Sequence, residues 1–211
     1  MYGSCKYGLY CLVNHSKLSI TVSKIVLAGL FFYFLYILTQ AVSTVNRHYI
    51  ATKDGTYINS TTTTPMIKEL AKILTKNCKT TQCSTQNILD YITNIPYKIN
   101  NFQAHSPQDT IQKNFGDCDD KSNLLISLLH EKGIESYFVL VPHHIFVIVH
   151  LDENLYRKAL YLNEKKYYIL ESTAKNSPIG FPLHYRLDEI DTIIEPFENR
   201  KIEINKLEWK L

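Results

Sequence analysis

Three residues of this 211-residue chain have the types that together make a working thiol nucleophile: Cys118 in "NFGDCDDKSNLLISLLHEKG", His144 in "HHIFVIVH" and Glu171 in "YYILES". A cysteine attacks a carbonyl as its thiolate, so it needs a base that takes the proton and later delivers it to the leaving group. Histidine does this near neutral pH, and a carboxylate that accepts the other ring N–H fixes its orientation. Cys118 opens an apolar run with helical spacing, where free backbone N–H groups and the positive end of the helix dipole favour the thiolate. Asp117, Asp119 and Asp120 oppose that charge if they point at sulfur, and otherwise serve as caps. By itself Cys118 reads more readily as a small buried apolar residue, so its partners decide.

Of the eight histidines, His144 heads a strand in which His144, Phe146, Ile148 and His150 share one face and Ile145, Val147 and Val149 the other, with His143 turned away from His144. Glu171 closes the following strand, and antiparallel pairing brings the end of one strand beside the start of the other. Alone, Glu171 would read as a surface carboxylate. An oxyanion formed during acyl transfer needs donors. The Cys118 backbone N–H is the natural first, while Gln103 and Tyr97 in "YKINNFQ" are candidates for the second that spacing does not fix.

These residues must be placed by a small core. "MIKELAKILTKN" and "TQNILDYITNI" carry apolar residues at helical spacing, the first opened by Thr64 and Pro65 and the second stopped by Pro96. A short helix is expected over residues 107–113 with Ser106 as its cap. "SNLLISLLHEKG" is apolar on most sides and ends at Gly133, which marks a central buried helix with a left-handed terminus. "SYFVLV" to Val141, "IFVIVHL" to Leu151 and "KYYILES" to Ser172 read as strands. Helices first and strands afterwards give an α+β domain with an antiparallel sheet. The closing "KIEINKLEWKL" alternates like an edge strand, and the region from Gly180 reads alternatively as a partner-docking arm.

Residues 25–46, "IVLAGLFFYFLYILTQAVSTVN", hold no charge and are long enough to cross a bilayer as a helix. The rivals are a buried helix, for which the rest of the chain is scarcely large enough, and a signal peptide, whose usual length the segment exceeds. Lys6, Lys17 and Lys24 precede the span and Arg47 and Lys53 follow it, a bias that puts the N-terminus in the cytoplasm and residues 47–211 outside. The division is then a cytoplasmic N-terminus at 1–24, a lipid-embedded anchor at 25–46, a polar stalk at 47–64 and a folded domain at 65–211. A net charge of +3 with 23 scattered basic residues demands no nucleic-acid partner. Among five cysteines, Cys78 and Cys83 flank "KTTQ" and either form a disulfide or remain two thiols. The spacing suits no zinc site, and "DCDD" offers oxygens that only by chance would hold calcium.

The order of these motifs resembles the transglutaminase-like superfamily of cysteine peptidases and amidases. The resemblance rests on "GDCDDKSNLLISLLHEKGIESYFVLV", "HIFVIV" and "LEST", with "IPYKIN" and "SPQDTIQKNFGDC" leading in, over roughly residues 88–175. It implies a papain-like, transglutaminase-like α+β core with Cys118 as nucleophile, His144 as base and then acid, and Glu171 as the orienting carboxylate. It further implies a peptide or protein amide substrate, hydrolysis ahead of transamidation, and no metal or organic cofactor. Three positions depart from the family pattern: Glu171 where Asp is usual, Phe146 where Trp is common, and Ser172 in place of a frequent Pro. A catalytically silent domain that binds peptide, cell-wall strand or membrane partners in the same cleft is the alternative.

Overall fold

The computed structural model describes residues 17–45, 49–53, 55–100 and 104–210. They fall into two compact units, Met1–Arg47 and His48–Leu211. The first contains helix α1, Lys17–Val45. Its segment Ile20–Ala41 has mean hydropathy 2.0, and its side chains are exposed within the unit. The 22 residues rise about 33 Å, enough for a hydrocarbon layer of about 30 Å. The helix begins at Lys17 rather than at residue 25 because "KLSITVS" contains no proline or glycine to stop it. Asn46 lies outside the described residues.

The second unit opens with an antiparallel hairpin, β1 (Tyr49–Thr52) and β2 (Gly55–Ile58), in which Ile50 pairs with Tyr57. This corrects the polar stalk read over residues 47–64. Ile50 and Tyr57 alternate onto one face and join the hydrophobic core, and the turn ends at Gly55, whose φ of 139° disfavours an L side chain. The overlooked signal was "DG" between two short apolar runs.

Three helices follow: α2 (Pro65–Leu74), α3 (Thr81–Asn94) and α4 (Pro107–Lys113). Thr64, Thr80 and Ser106 cap them, each side chain accepting a backbone N–H of the first turn. A disulfide joins Cys78 to Cys83 across the connection from α2 to α3. Helix α5, Cys118–His130, is buried continuously from Asp120 to Leu129, and each leucine it hides contributes about 1.5–3 kcal/mol. The chain then turns through Gly133, at φ 66°.

The sheet holds seven antiparallel strands in the order β8-β7-β3-β4-β6-β5-β9: β3 Ser136–Val141, β4 His144–Val149, β5 Ala159–Leu162, β6 Lys165–Leu170, β7 Thr192–Glu195, β8 Arg200–Lys201 and β9 Leu207–Lys210. The domain is thus α+β with its central helix on an antiparallel sheet. Alternation along β4 sends Ile145, Val147 and Val149 into the core shared with Leu124, Leu125 and Leu128 of α5. Phe146 and Ile148 face the other side, where Leu183, Tyr185 and Trp209 cover them. Strands β4 and β6 end at Val149 and Leu170, short of the Leu151 and Ser172 read from sequence, because the pairing between them stops there. The C-terminal region is no free arm: β7 pairs with β3, and β9 forms the sheet edge beside β5.

Candidate active site

Cys118 is the first residue of α5, and the turn before it is tightly fixed. Asp117 accepts the N–H of Asp120 while Asp120 accepts the N–H of Asp117, a reciprocal cap. Asp117 Oδ2 also accepts the Asn100 N–H at 3.0 Å, and Asp120, fully buried, pairs with His105 Nδ1 at 3.0 Å. Gly116 must be glycine, since a Cβ there would lie 2.6 Å from the Asp120 Cβ. Two of the three aspartates are therefore consumed in holding the cysteine at the helix mouth. The third is turned to sulfur, with the Cys118 thiol donating to Asp119 Oδ1 at 3.7 Å. Burial, then Asp119 and Asp117, push the thiol up to about 12, so the resting group is a thiol and the helix terminus is outweighed. Burial also pushes Asp119 up to about 6.

His144 begins β4 opposite Val141 after a turn of Pro142 and His143. His143 takes φ 57° in that turn and is exposed. His144 Nε2 meets Glu171 Oε2 at 2.9 Å, with 19% of the His144 side chain and 4% of the Glu171 side chain exposed. The other carboxylate oxygen, Oε1, accepts the Thr173 N–H at 2.9 Å and the Thr173 hydroxyl at 2.5 Å. Burial alone would raise the Glu171 pKa, but the hydrogen bonds from His144 and Thr173 outweigh it and hold the carboxyl below its ordinary value. The Tyr185 ring stacks beside His144 at 6.2 Å between centroids and beside Phe146 at 6.1 Å. One turn along α5, Lys121 is 1% exposed and donates to the Ile95 carbonyl at 3.0 Å. Burial brings its ammonium down to about 8, against the opposing pull of Glu171.

His144 and Glu171 are thus joined directly. Cys118 approaches them through Asp119, whose carboxylate feels the charge of His144. Among the described residues no hydrogen bond links Cys118 sulfur to His144, and His144 Nδ1 has no hydrogen-bond partner. Tyr97 bridges to Gly116 beside the helix mouth, is 54% exposed, and lies near enough for a Cys118 charge to act on it. Gln103 lies outside the described residues. Sequence reasoning missed Asp119 as the acid facing sulfur, Thr173 as the second holder of Glu171, Tyr185 as the ring beside His144, and Tyr57. Only Thr173 had a local signal: a hydroxyl and an N–H two residues beyond a carboxylate suit a side-chain-closed turn. With Glu171 accepting a proton carried on Nε2, Nδ1 is left as the basic ring nitrogen, a tautomer inferred from the hydrogen bond.

Residues 68–145 match the core model of the Transglutaminase-like superfamily. The matched stretch contains Cys118 and His144, and Glu171 lies beyond it. No curated protein matches the chain. Among solved structures, it is similar to a candidate cysteine protease from Cytophaga hutchinsonii, with 20% identity, TM-score 0.41, and coverage of 60% of this chain and 40% of that one. It is also similar to a candidate protease from Parabacteroides distasonis, with 17% identity, TM-score 0.42, and coverage of 66% and 27%. The chain spans under half the length of either protein.

Proposed function

Because residues 68–145 match the transglutaminase-like superfamily core, we propose that this chain is a cysteine peptidase or amidase that transfers acyl groups from amide bonds through Cys118, His144 and Glu171. The observation that carries the proposal is the 2.9 Å contact of His144 with a nearly inaccessible Glu171, on strands packed against the helix that Cys118 begins. A surface carboxylate would need no such enclosure.

In the proposed reaction His144 Nδ1 takes the thiol proton as sulfur bonds to the acyl carbon. The Cys118 backbone N–H, unpaired at the helix start, donates to the developing oxyanion. Collapse breaks the C–N bond, and His144 returns the proton to the leaving amine. Water, deprotonated by His144, then cleaves the thioester and releases an acid. Glu171 keeps the ring in register and offsets its transient positive charge. The chemistry balances without metal or cofactor. An amine in place of water would give transamidation, and hydrolysis is proposed as the main outcome because the helix mouth is open to solvent beside Tyr97, which is 54% exposed.

The cellular placement is also proposed. Residues 25–46 anchor the chain in a lipid bilayer with residues 1–24 on the cytoplasmic side, and the domain meets peptide or protein amides outside. The Cys78–Cys83 disulfide supports an oxidising compartment. A second reading, a silent domain that binds its ligand without cleaving it, draws on the thiol that donates to Asp119 and is held up to about 12.

Incubation with p-nitrophenyl acetate separates the two. The enzyme reading expects a burst of p-nitrophenol and an acetyl adduct on the Cys118 peptide, both lost in Cys118→Ala. A protein with no Cys118 adduct is the silent domain.

A further inference from the structure

The hairpin that precedes the matched core delivers one side chain to the neighbourhood of the nucleophile. Tyr57 is 9% exposed, and its ring stands edge-on to Phe138 at 5.9 Å. Its hydroxyl is buried and has no hydrogen-bond partner. A phenol O–H in that condition is rare in a folded protein and has a hydrogen bond left to give. Tyr57 lines a cavity of about 220 Å³ together with Asp119 and His144. Burial, then the charge of Asp119, then that of a Cys118 thiolate hold its phenol well above the ordinary value, so it remains a donor.

The hairpin is firmly tied where it stands. The Lys53 N–H donates to Asp191 Oδ2 at 3.0 Å, Lys201 Nζ donates to the Ala51 carbonyl at 2.7 Å, and beyond the hairpin Thr61 Oγ1 donates to Asn123 Oδ1 of α5 at 3.0 Å. The first two tie the hairpin to the β7–β8 edge of the sheet, and the third ties the segment after it to the helix that Cys118 begins.

We propose that the β1–β2 hairpin completes the active site and that the Tyr57 hydroxyl donates a hydrogen bond to the Cys118 sulfur after the thiol proton has left. This rests on the reading of Cys118 as the nucleophile. The resting thiol has an acceptor in Asp119 and no need of Tyr57. Ionisation removes that hydrogen bond and sets two negative charges side by side, and sulfur then needs a donor. Around it, the Asp119 backbone N–H already donates to sulfur, Tyr97 is open to water, and the His144 imidazolium keeps its proton for the leaving amine. Among the described side chains nearby, Tyr57 is an enclosed donor whose hydroxyl has no other partner. Its proton stays on the phenol oxygen, and no bond to it breaks. Tyr57 is therefore a positioning residue acting through Cys118, and the catalytic unit begins near residue 49 rather than at 65.

The test is the pH dependence of iodoacetamide alkylation in the full chain, read on the Cys118 peptide by mass spectrometry. Tyr57→Phe should move the midpoint up by about one pH unit, which is about tenfold slower reaction at a fixed pH below it. The high-pH plateau and the melting temperature should stay where they are, because the deleted hydroxyl had no partner. Thr56→Val, on the same strand, should change nothing. An unmoved midpoint, a shift equalled by Thr56→Val, or a shift accompanied by a fall in melting temperature would overturn the proposal. His144→Ala keeps the two readings apart. A midpoint that responds to His144 and ignores Tyr57 defeats the hairpin's role alone, and one that responds to Tyr57 and ignores His144 defeats the base assignment alone.

Discussion

Glu171 reaches His144 diagonally across the sheet: pairing of Val147 with Leu170, continued by one step, sets Glu171 opposite Phe146, two residues along from His144. Diagonal neighbours on adjacent strands are about 7–8 Å apart at the backbone and meet only through long side chains. Glutamate spans the offset and closes to 2.9 Å. The extra methylene is thus what this register requires.

Glu171→Asp should therefore impair the protein, although aspartate is the commoner residue in the family it resembles. The carboxylate would retreat by about 1 Å or more, a displacement that costs about a hundredfold when it misaligns a catalytic group. Acylation rates with p-nitrophenyl acetate measure it, and an aspartate variant as fast as the parent would show that the register tolerates either acid.

Asp119→Asn should make Cys118 more reactive. The carboxylate accepts from the thiol and adds negative charge beside a developing thiolate. Its replacement by a neutral amide lowers the pH at which alkylation begins, and at pH 8 the reaction should run at least about tenfold faster. An unchanged rate would show that Asp119 exerts no hold on sulfur.

The same carboxylate leaves a mark on stability. Asp119 is held up to about 6 in the folded chain, against an ordinary value of about 3.9 unfolded. Between those values the folded state binds more protons, so this group's contribution to stability falls as pH rises from about 4 to 6. At pH 7.5 Asp119→Asn should gain about 1–2 kcal/mol after screening is allowed for, and below pH 4 the difference should vanish. Urea denaturation at the two pH values checks the sign.

Gly116→Ala should damage the helix mouth. Its Cβ would fall 2.6 Å from the Asp120 Cβ, a buried backbone-proximal atom that cannot swing aside. Overpacking of this kind costs about 1–3 kcal/mol, and because Asp120 belongs to the cap, the Cys118 alkylation rate should change with it. Denaturant midpoint and alkylation measured on one sample test both.

The membrane reading predicts that alkaline carbonate leaves the full chain in the membrane pellet. Residues 48–211 expressed alone should be recovered in the supernatant. Release of the full chain by carbonate would contradict an anchor.

Much of this was legible in sequence because it was local. Helix caps at Thr64 and Ser106, the buried run after Cys118 and the alternation along β4 follow from neighbours a few residues apart. Strand period alone sets His143 and His144 on opposite faces, and the resemblance of "HIFVIV" to the family pattern selected His144. What escaped depended on distant parts of the chain. Asp119 turns to sulfur because Asp117 and Asp120 are claimed by the cap, by Asn100 and by His105. Strand β7 reads as part of a charged tail until Phe138, Val139 and Leu140 are seen to pair with it. The hairpin was hidden by the polar residues around it, since among its described residues only Ile50 and Tyr57 are buried.

The central claim is that His144 draws the proton from Cys118, and the most direct measurement is the rate of Cys118 alkylation by iodoacetamide against pH in the full chain and in His144→Ala. If His144 draws the proton against the hold of burial and Asp119, Cys118 is alkylated near neutral pH in the parent, and the midpoint moves to higher pH in the variant. A Cys118 inert near neutral pH, or a profile that is the same with and without His144, would contradict it.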